Sequence, residues 1–571
     1  MDRITESLLA EFSEEFDLKK LAEDKRFEHF ASYVTIKRHY SEHFDTTDVV
    51  TGSGADTGID AIAVIVNGEM IHDVDGLEDA ADSASVLDVT FIFVQAERSS
   101  SFDAAKIGTF SFGVLDFFKS LPSLPRNERI KQAAEVMNAI YERSSKFKRG
   151  NPNCRLFYVT TGQWVGDANL EARRQASIAD LKATQLFGDV EFACIGADGI
   201  QRRYNETKNA ISREFVFGSR VEIPEIQNVT EAYLGYVPVS QFRSIITDDD
   251  GGIVRSIFYD NVRDWQEYNT VNSEMRDTLL SPERARFVLM NNGVTVIARS
   301  LHKTASRFHI EDFQIVNGCQ TSHVLFEQND LADEVCIPLR LIVTQDEEVI
   351  ESIIRATNRQ TALKEEQFLA LTEFSKKLEA FFASYPVDQR LYYERRSCQY
   401  DRLDIEKTRI LTPANAIRSF AAMYLSEPHR TTRNYRALTD KVGADIFADS
   451  HRLDPYYVSS FALYKLEYLF RSQKLEAKYK PARFHILLAV RLLFDISPNP
   501  PMNSHEMSKR ANKLAEALWD NSQADELFAK AAAAVEHVAG GDFDRDTIRT
   551  QPFTDSIIKY CQEAGSIAAP S

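Results

Sequence analysis

Two stretches constrain this chain more than any other: GIDAIAVIVNG (58–68) and VTFIFVQAE (89–97). Each is apolar on both faces of an extended chain and predicts a buried strand. The first closes on Asn67-Gly68, a hairpin-type turn. The second runs from Phe91 and Phe93 into Gln95 and Glu97. Side chains alternate along a strand, so these four share one face and Ile92, Val94 and Ala96 share the other. An amide and a carboxylate at the end of a buried strand are costly unless they meet partners, water or a metal. Pairing of the two strands would bring Asp60 close to Gln95 and Glu97. Two carboxylates and an amide oxygen make a hard-oxygen set suited to Mg²⁺ or Mn²⁺. Such an ion would activate water and stabilise charge developing on a phosphodiester.

The surrounding pattern predicts an α/β (α+β) multidomain protein. A helix over 20–43 precedes the first strand, and helices over 103–120 and 127–148 follow the second. CRLFYVTTG and VEFACIGA are further strands, with a helix at 168–184 between them. Residues 1–205 thus read as one α/β unit. Residues 69–88 carry seven acidic residues and no Lys or Arg, and read as a solvated connection. Residues 206–435 form a mixed core, and 436–571 a mainly helical region. A length of 571 residues fits several domains.

A net charge of -18 argues against coating nucleic acid through the overall field, though not against a local basic groove. The six cysteines, at 154, 194, 319, 336, 398 and 561, form no CxxC pair, so no zinc ribbon is signalled. Sparse cysteine, an acidic N-terminus without a signal-peptide pattern and no bilayer-length apolar run lead to the expectation of a cytoplasmic protein away from membranes.

Gly58-Ile59-Asp60 and Gln95-Ala96-Glu97 resemble the G-x-D … Q-x-K pattern of the PD-(D/E)xK nuclease superfamily, in its restriction-endonuclease-like branch. The order of elements over about the first 200 residues resembles its αβββαβ domain. The resemblance implies metal-dependent phosphodiester cleavage by Asp60, Gln95 and Glu97, with Glu28 of the preceding helix as a further acid. Asp60 and Glu97 would be the metal ligands. One departure stands out: Glu97 occupies the usual lysine slot. Arg98 points to the opposite face, and Lys106 in the next element is the candidate to reach the site. GSGADTG at 52–58 lacks the Gly-Lys-Ser/Thr ending of a P-loop and reads as a turn delivering Asp60.

Further along come IFYDNVRD (257–264), FVLMNNGVTVIA (287–298), FQIVNGCQTSHVLF (313–326), IIRATNRQTALKEEQFLAL (353–371) and RLYYERR (390–396). This ordered set resembles the abortive-infection phage-resistance (AIPR) family. Gln314-Ile315-Val316 is a short strand entering Asn317-Gly318, and the residues from Thr321 read as a helix. A strand, a glycine turn and a helix start offer N–H groups to an anion, with Asn317, Gln320 and Thr321 adding neutral hydrogen-bonding groups. The bland alternative is a self-satisfied turn. The NGCQT turn is similar to that of ParB/sulfiredoxin-type folds, which implies a nucleotide as a candidate ligand. Arg263, Asn292, Asn358, Gln360, Arg395 and Arg396 are the other candidate contacts to nucleotide or nucleic acid. Cys319 reads as a small buried residue. Arginines 390–436, interleaved with Tyr392, Tyr393 and Tyr400, suit phosphate tracking and base stacking or a salt-bridged face.

Three functional classes fit these residues. One is a Mg²⁺- or Mn²⁺-dependent nuclease acting on DNA or RNA in phage defence, for which a homodimer would supply two sites for two strands. Another is a catalytically inactive sensor subunit that binds nucleotide or nucleic acid within a defence complex. The last is a structural adaptor whose C-terminal helices recruit other subunits.

Overall fold

The computed structural model describes all residues except 41, 53, 55, 83, 85, 148–149, 209–210, 249–250, 259–269, 329–330, 332, 359–371, 396–398, 402, 434 and 568–571. The two constraining stretches do form strands. Helices α1 (Arg3–Glu15) and α2 (Glu23–Ile36) lead into β1 (Ala61–Val66), and β2 (Glu69–Ile71) returns from the Asn67-Gly68 turn. Next come α3 (Val74–Asp82), β3 (Val89–Glu97), α4 (Ala104–Phe117), α5 (Glu128–Glu142) and β4 (Asn153–Thr160). α6 (Ala168–Ala183), β5 (Val190–Ile195) and α7 (Ala197–Lys208) complete the unit. The sheet order is β2-β1-β3-β4-β5. β1 runs antiparallel to β3 with Ala61 opposite Val94, while β3, β4 and β5 run parallel.

The alternation read from the sequence divides two cores. Phe91, Phe93, Tyr158 and Phe192 pack against Leu77, Ile107, Phe110, Met137 and Leu181 of α3 to α6. Ile92, Val94, Phe157 and Val159 pack against Phe12, Phe27, Phe30 and Tyr204 of α1, α2 and α7. Helices on both faces bury the sheet, which is why its strands are apolar on both sides.

The second sheet is built from β6 (Ser212–Val216), β7 (Ser219–Glu222), β8 (Glu231–Pro238), β9 (Val294–Thr304), β10 (Arg307–Asn317) and β11 (Cys336–Val343). Its order is β6-β10-β9-β11-β8-β7, and of its pairings only β9 with β11 is parallel among the described residues. α8 (Val239–Ile246), α9 (Thr270–Leu280), α10 (Phe287–Met290) and α11 (Cys319–Glu327) contribute to one core. α12 (Glu347–Asn358) covers β10 from the other side through Ile350.

The third unit is mainly helical, with the short strands β12 (Tyr392–Tyr393) and β13 (Ile410–Leu411). Its core runs continuously from Phe374 to Cys561, so it starts well before residue 436. The segment that includes the Tyr-rich motif packs with the C-terminal helices, because Leu391 and Tyr393 are fully buried among them. No helix among the described residues is long and apolar enough to cross a membrane.

The acidic stretch at 69–88 is not a solvated connection. It folds as β2 and α3, and α3 docks on the helical unit. Asp75 pairs with Arg549, each side chain 6% exposed. Asp79 Oδ2 accepts a hydrogen bond from the Tyr435 N–H (3.1 Å). Two further acids of the N-terminal unit behave alike. Asp45 takes Arg471 Nη1 at 3.0 Å, and Asp48 takes Lys480 Nζ at 3.3 Å. Lys37 reverses the sign, pairing with Asp401 at 2.9 Å. Removing one partner of a buried pair costs about 3–5 kcal/mol, since the other charge is left uncompensated.

Candidate functional site

Asp60 directly precedes β1, and its N–H donates to the Val94 carbonyl (2.8 Å), which continues the ladder and sets it opposite Gln95. Its carboxylate is buried, and Oδ2 accepts a hydrogen bond from the Ala96 N–H (2.7 Å). Burial, followed by the neighbouring Glu28 carboxylate, pushes Asp60 up to about 7. Glu28 stands on α2, where burial raises its pKa and Lys25 offsets part of the rise. Lys25 Nζ lies 2.8 Å from both Glu28 carboxylate oxygens. Gln95 Oε1 is buried and meets no hydrogen-bond donor.

Glu97, at the end of β3, is held from two sides. Lys106 Nζ of α4 reaches Oε1 at 2.7 Å, and the fully buried Tyr158 of β4 donates to Oε2 at 3.0 Å. Lys106 is 57% exposed, so its ammonium stands at the solvent side of the carboxylate. Arg98 turns away as strand alternation requires, and pairs with Glu23 at 2.7 Å. The sequence-predicted Asp60, Gln95, Glu97 and Glu28 thus gather at one end of β1 and β3. Three residues of this end escaped the sequence reading. Lys25 sits three positions before Glu28 on a helix, a spacing that signals contact. Asp56 raises the pKa of Asp60 from the loop just before it. Tyr158 comes from a parallel neighbour strand and leaves no local signal.

Among the described residues no three His, Cys, Asp or Glu side chains stand together as a metal-binding group. The donors that fit a hard cation are the Asp60 carboxylate and the orphaned Gln95 oxygen, with Glu28 nearby. Mg²⁺ commonly takes one or two carboxylates and keeps several waters. Glu97 already spends both oxygens on Lys106 and Tyr158.

A cavity of about 1260 Å³ lies elsewhere, between β5 and α7 on one side and β6 and β10 on the other. Arg155, Arg202, Arg213, Trp164 and Phe313 are among its lining residues, and Asp60, Gln95, Glu97 and Lys106 are not.

In the second unit β10 delivers Asn317, a turn at Gly318 follows, and α11 begins. Gly318 has φ +99°. A Cβ there would sit 2.7 Å from a Val294 methyl and 3.1 Å from the Gly293 carbonyl, so no side chain fits. The polar groups around the turn bond mainly to one another. Asn272 Nδ2 donates to Gln320 Oε1 (2.6 Å), and Asn291 Nδ2 to Thr321 Oγ1 (3.0 Å). Asn317 Nδ2 donates to the Thr357 carbonyl (2.9 Å) and ties the end of β10 to α12. In the Asn-Asn-Gly turn Asn291 makes the inward contact and Asn292 is exposed. Cys319 is buried, as expected. Arg263, Gln360 and Arg396 lie outside the described residues, as does the side chain of Asn358 at the end of α12.

The chain from Phe258 to Gly540 matches the family model of the AIPR protein. No curated protein and no solved structure matches the chain at a significant level. The AIPR region takes in β9 to β11, the glycine turn and most of the helical unit. The N-terminal unit lies outside it.

Within the AIPR region the basic, tyrosine-rich stretch faces largely inward. The Arg395 side chain is 8% exposed, held by Glu379 at 2.5 Å and Glu351 at 3.3 Å. Lys407 is buried and donates to the carbonyls of Tyr400, Asp401 and Leu403. Arg409 pairs with Glu406 at 2.7 Å and lies over the Tyr464 ring. Tyr393 is fully buried. These groups brace the fold; Arg436 is exposed.

Proposed function

We propose that the N-terminal unit is a divalent-metal-dependent nuclease, and that the chain serves defence against phage as its AIPR region suggests. One observation carries the reading: a buried Asp60 beside an orphaned Gln95 oxygen, with the Glu97–Lys106 pair completing the same strand end. Asp60 and Gln95 would hold Mg²⁺ or Mn²⁺, which supplies Lewis-acid stabilisation of phosphodiester charge and an activated water. Lys106 provides the cation that the lysine slot at residue 97 does not, and its ammonium meets negative charge on the scissile phosphate. Glu97 holds Lys106 at the strand end, and Tyr158 fixes Glu97. The element order, a helix before β1 and β2, then α3, β3, α4, α5 and β4, supports the same reading with α3 as an addition between the strands. The test is a cleavage assay on plasmid, linear duplex, single-stranded DNA and RNA, with Mg²⁺ or Mn²⁺, with and without nucleotides. Cleavage that needs metal and is lost in Asp60→Ala and Glu97→Ala is expected. Undiminished cleavage in both folded variants removes these residues from the mechanism.

A second reading, a catalytically inactive binding subunit, is favoured by one feature: Glu97 has both oxygens engaged. It predicts nucleic-acid binding without cleavage in that assay. For the AIPR region we infer a contact to nucleotide or nucleic acid at Asn317–Thr321, supported by the glycine turn at the start of α11. Labelled nucleotides should bind the full chain more weakly when Asn317 and Gln320 are changed to Ala. Equal binding, or none to either protein, counts against it.

A further inference from the structure

We infer that Arg471 and Lys480 of the helical unit are positioning residues for Asp60, acting through the segment 45–51. The argument follows the chain from one unit to the other. Arg471 ends the helix Asp454–Arg471, and its side chain is 4% exposed. Its Nε and Nη2 make no hydrogen bond, so Asp45, bonded to Nη1 at 3.0 Å, is its anchor. The same Asp45 carboxylate uses Oδ1 to accept the Thr47 N–H (2.8 Å), which caps the short 3₁₀ turn Thr46–Asp48. Lys480 takes the other end of that turn through Asp48. Arg129 and Arg483 also face Asp48, as does His72, whose pKa is lowered by burial.

The turn passes directly into the site. His29, the neighbour of Glu28 on α2, shares a hydrogen bond with Thr46 Oγ1 (2.8 Å). The Ile62 N–H donates to the Val49 carbonyl (2.9 Å), and Val50 bridges to Ala61. The Thr51 N–H donates to the Asp60 carbonyl (2.8 Å), and Thr51 Oγ1 donates to the Ile59 carbonyl (2.6 Å). Residues 49–51 therefore line the strand that delivers Asp60, and their far end is clamped by Arg471 and Lys480, with Arg483 also facing Asp48. Asp75–Arg549 joins the same two units without touching this segment, and serves as an internal control.

The experiment is hydrogen exchange on the full metal-free chain. In Arg471→Gln and Lys480→Gln the amides of Val49, Val50, Thr51 and Ile62 should exchange at least tenfold faster, while Arg549→Gln leaves them unchanged. Lys480 is partly exposed, so its variant should fold. If Arg471→Gln does not, Asp45→Asn, which breaks the same pair from the other side, takes its place. Unchanged exchange in the folded variants overturns the inference, as does an equal rise in Arg549→Gln. A matching fall in kcat with KM unaltered is expected for cleavage. That arm alone rests on the nuclease reading, so its failure with exchange altered would indict the reading and leave the positioning standing.

Discussion

The strand end at Asp60 and the glycine turn at Gly318 look alike in sequence: each sets polar residues and a nearby glycine at the end of an apolar strand. The structure separates them. At the turn, neutral amides and a hydroxyl pair with one another, although the Gln314 oxygen on the strand leading into it has no donor. At the strand end, a buried carboxylate is held near protonation and an amide oxygen has no donor. Polar groups that satisfy each other specify a shape. A buried polar group left wanting calls for an explanation, and a bound ion is the one proposed above.

That contrast can be broken most sharply at Asp60. Asp60→Ala should lower cleavage by about a thousandfold, in the range seen when an electrostatic group of a reaction site is removed. Activity retained within about tenfold would place the chemistry elsewhere. Lys106→Met should cost about a hundredfold in kcat, with the fold intact because the residue is largely exposed. A variant as active as the parent would leave the lysine slot unfilled. Tyr158→Phe should cost less, about tenfold, because Lys106 still holds Glu97.

The pH dependence of stability sharpens the same point. Burial pushes the Asp60 carboxyl up to about 7, well above the ordinary carboxylate range. The folded state therefore keeps a proton that the unfolded chain releases. The stabilising contribution is complete below pH 4 and is lost as pH rises through 7. The stability of the parent minus that of Asp60→Asn, from urea midpoints, should fall across this window. A flat difference would mean that the buried proton sits on another group.

The turn should respond in the opposite currency. Gln320→Ala leaves the buried Asn272 amide without its acceptor, a loss of about 1–3 kcal/mol in stability. Cleavage in the absence of nucleotide should be unchanged. A stability loss below about 0.5 kcal/mol would show the network to be dispensable.

Both strands, their shared face and the meeting of Asp60, Gln95 and Glu97 were legible, because period-two alternation and burial are local properties of a sequence; Glu28 came only from the nuclease resemblance. Tyr158 was not, since nothing local says which strand lies parallel to β3. The role of the acids in 69–88 was hidden for a similar reason. A run of acids without nearby bases reads as solvated, and the base that meets Asp75 is Arg549, at the other end of the chain. The inward turn of Arg395 was equally invisible, because Glu351 and Glu379 reach it from helices well upstream. The choice of Asn291 over Asn292 rests on a backbone turn that adjacent identical residues cannot reveal.

The acids of the N-terminal unit that meet bases of the helical unit form a matched set, and matching has a price in evolvability. A lineage that exchanged its N-terminal unit for that of a distant cousin would inherit Arg471, Lys480 and Arg549 without their acids. Recombination between relatives should therefore succeed only where both faces travel together, and change at either face should be answered at the other.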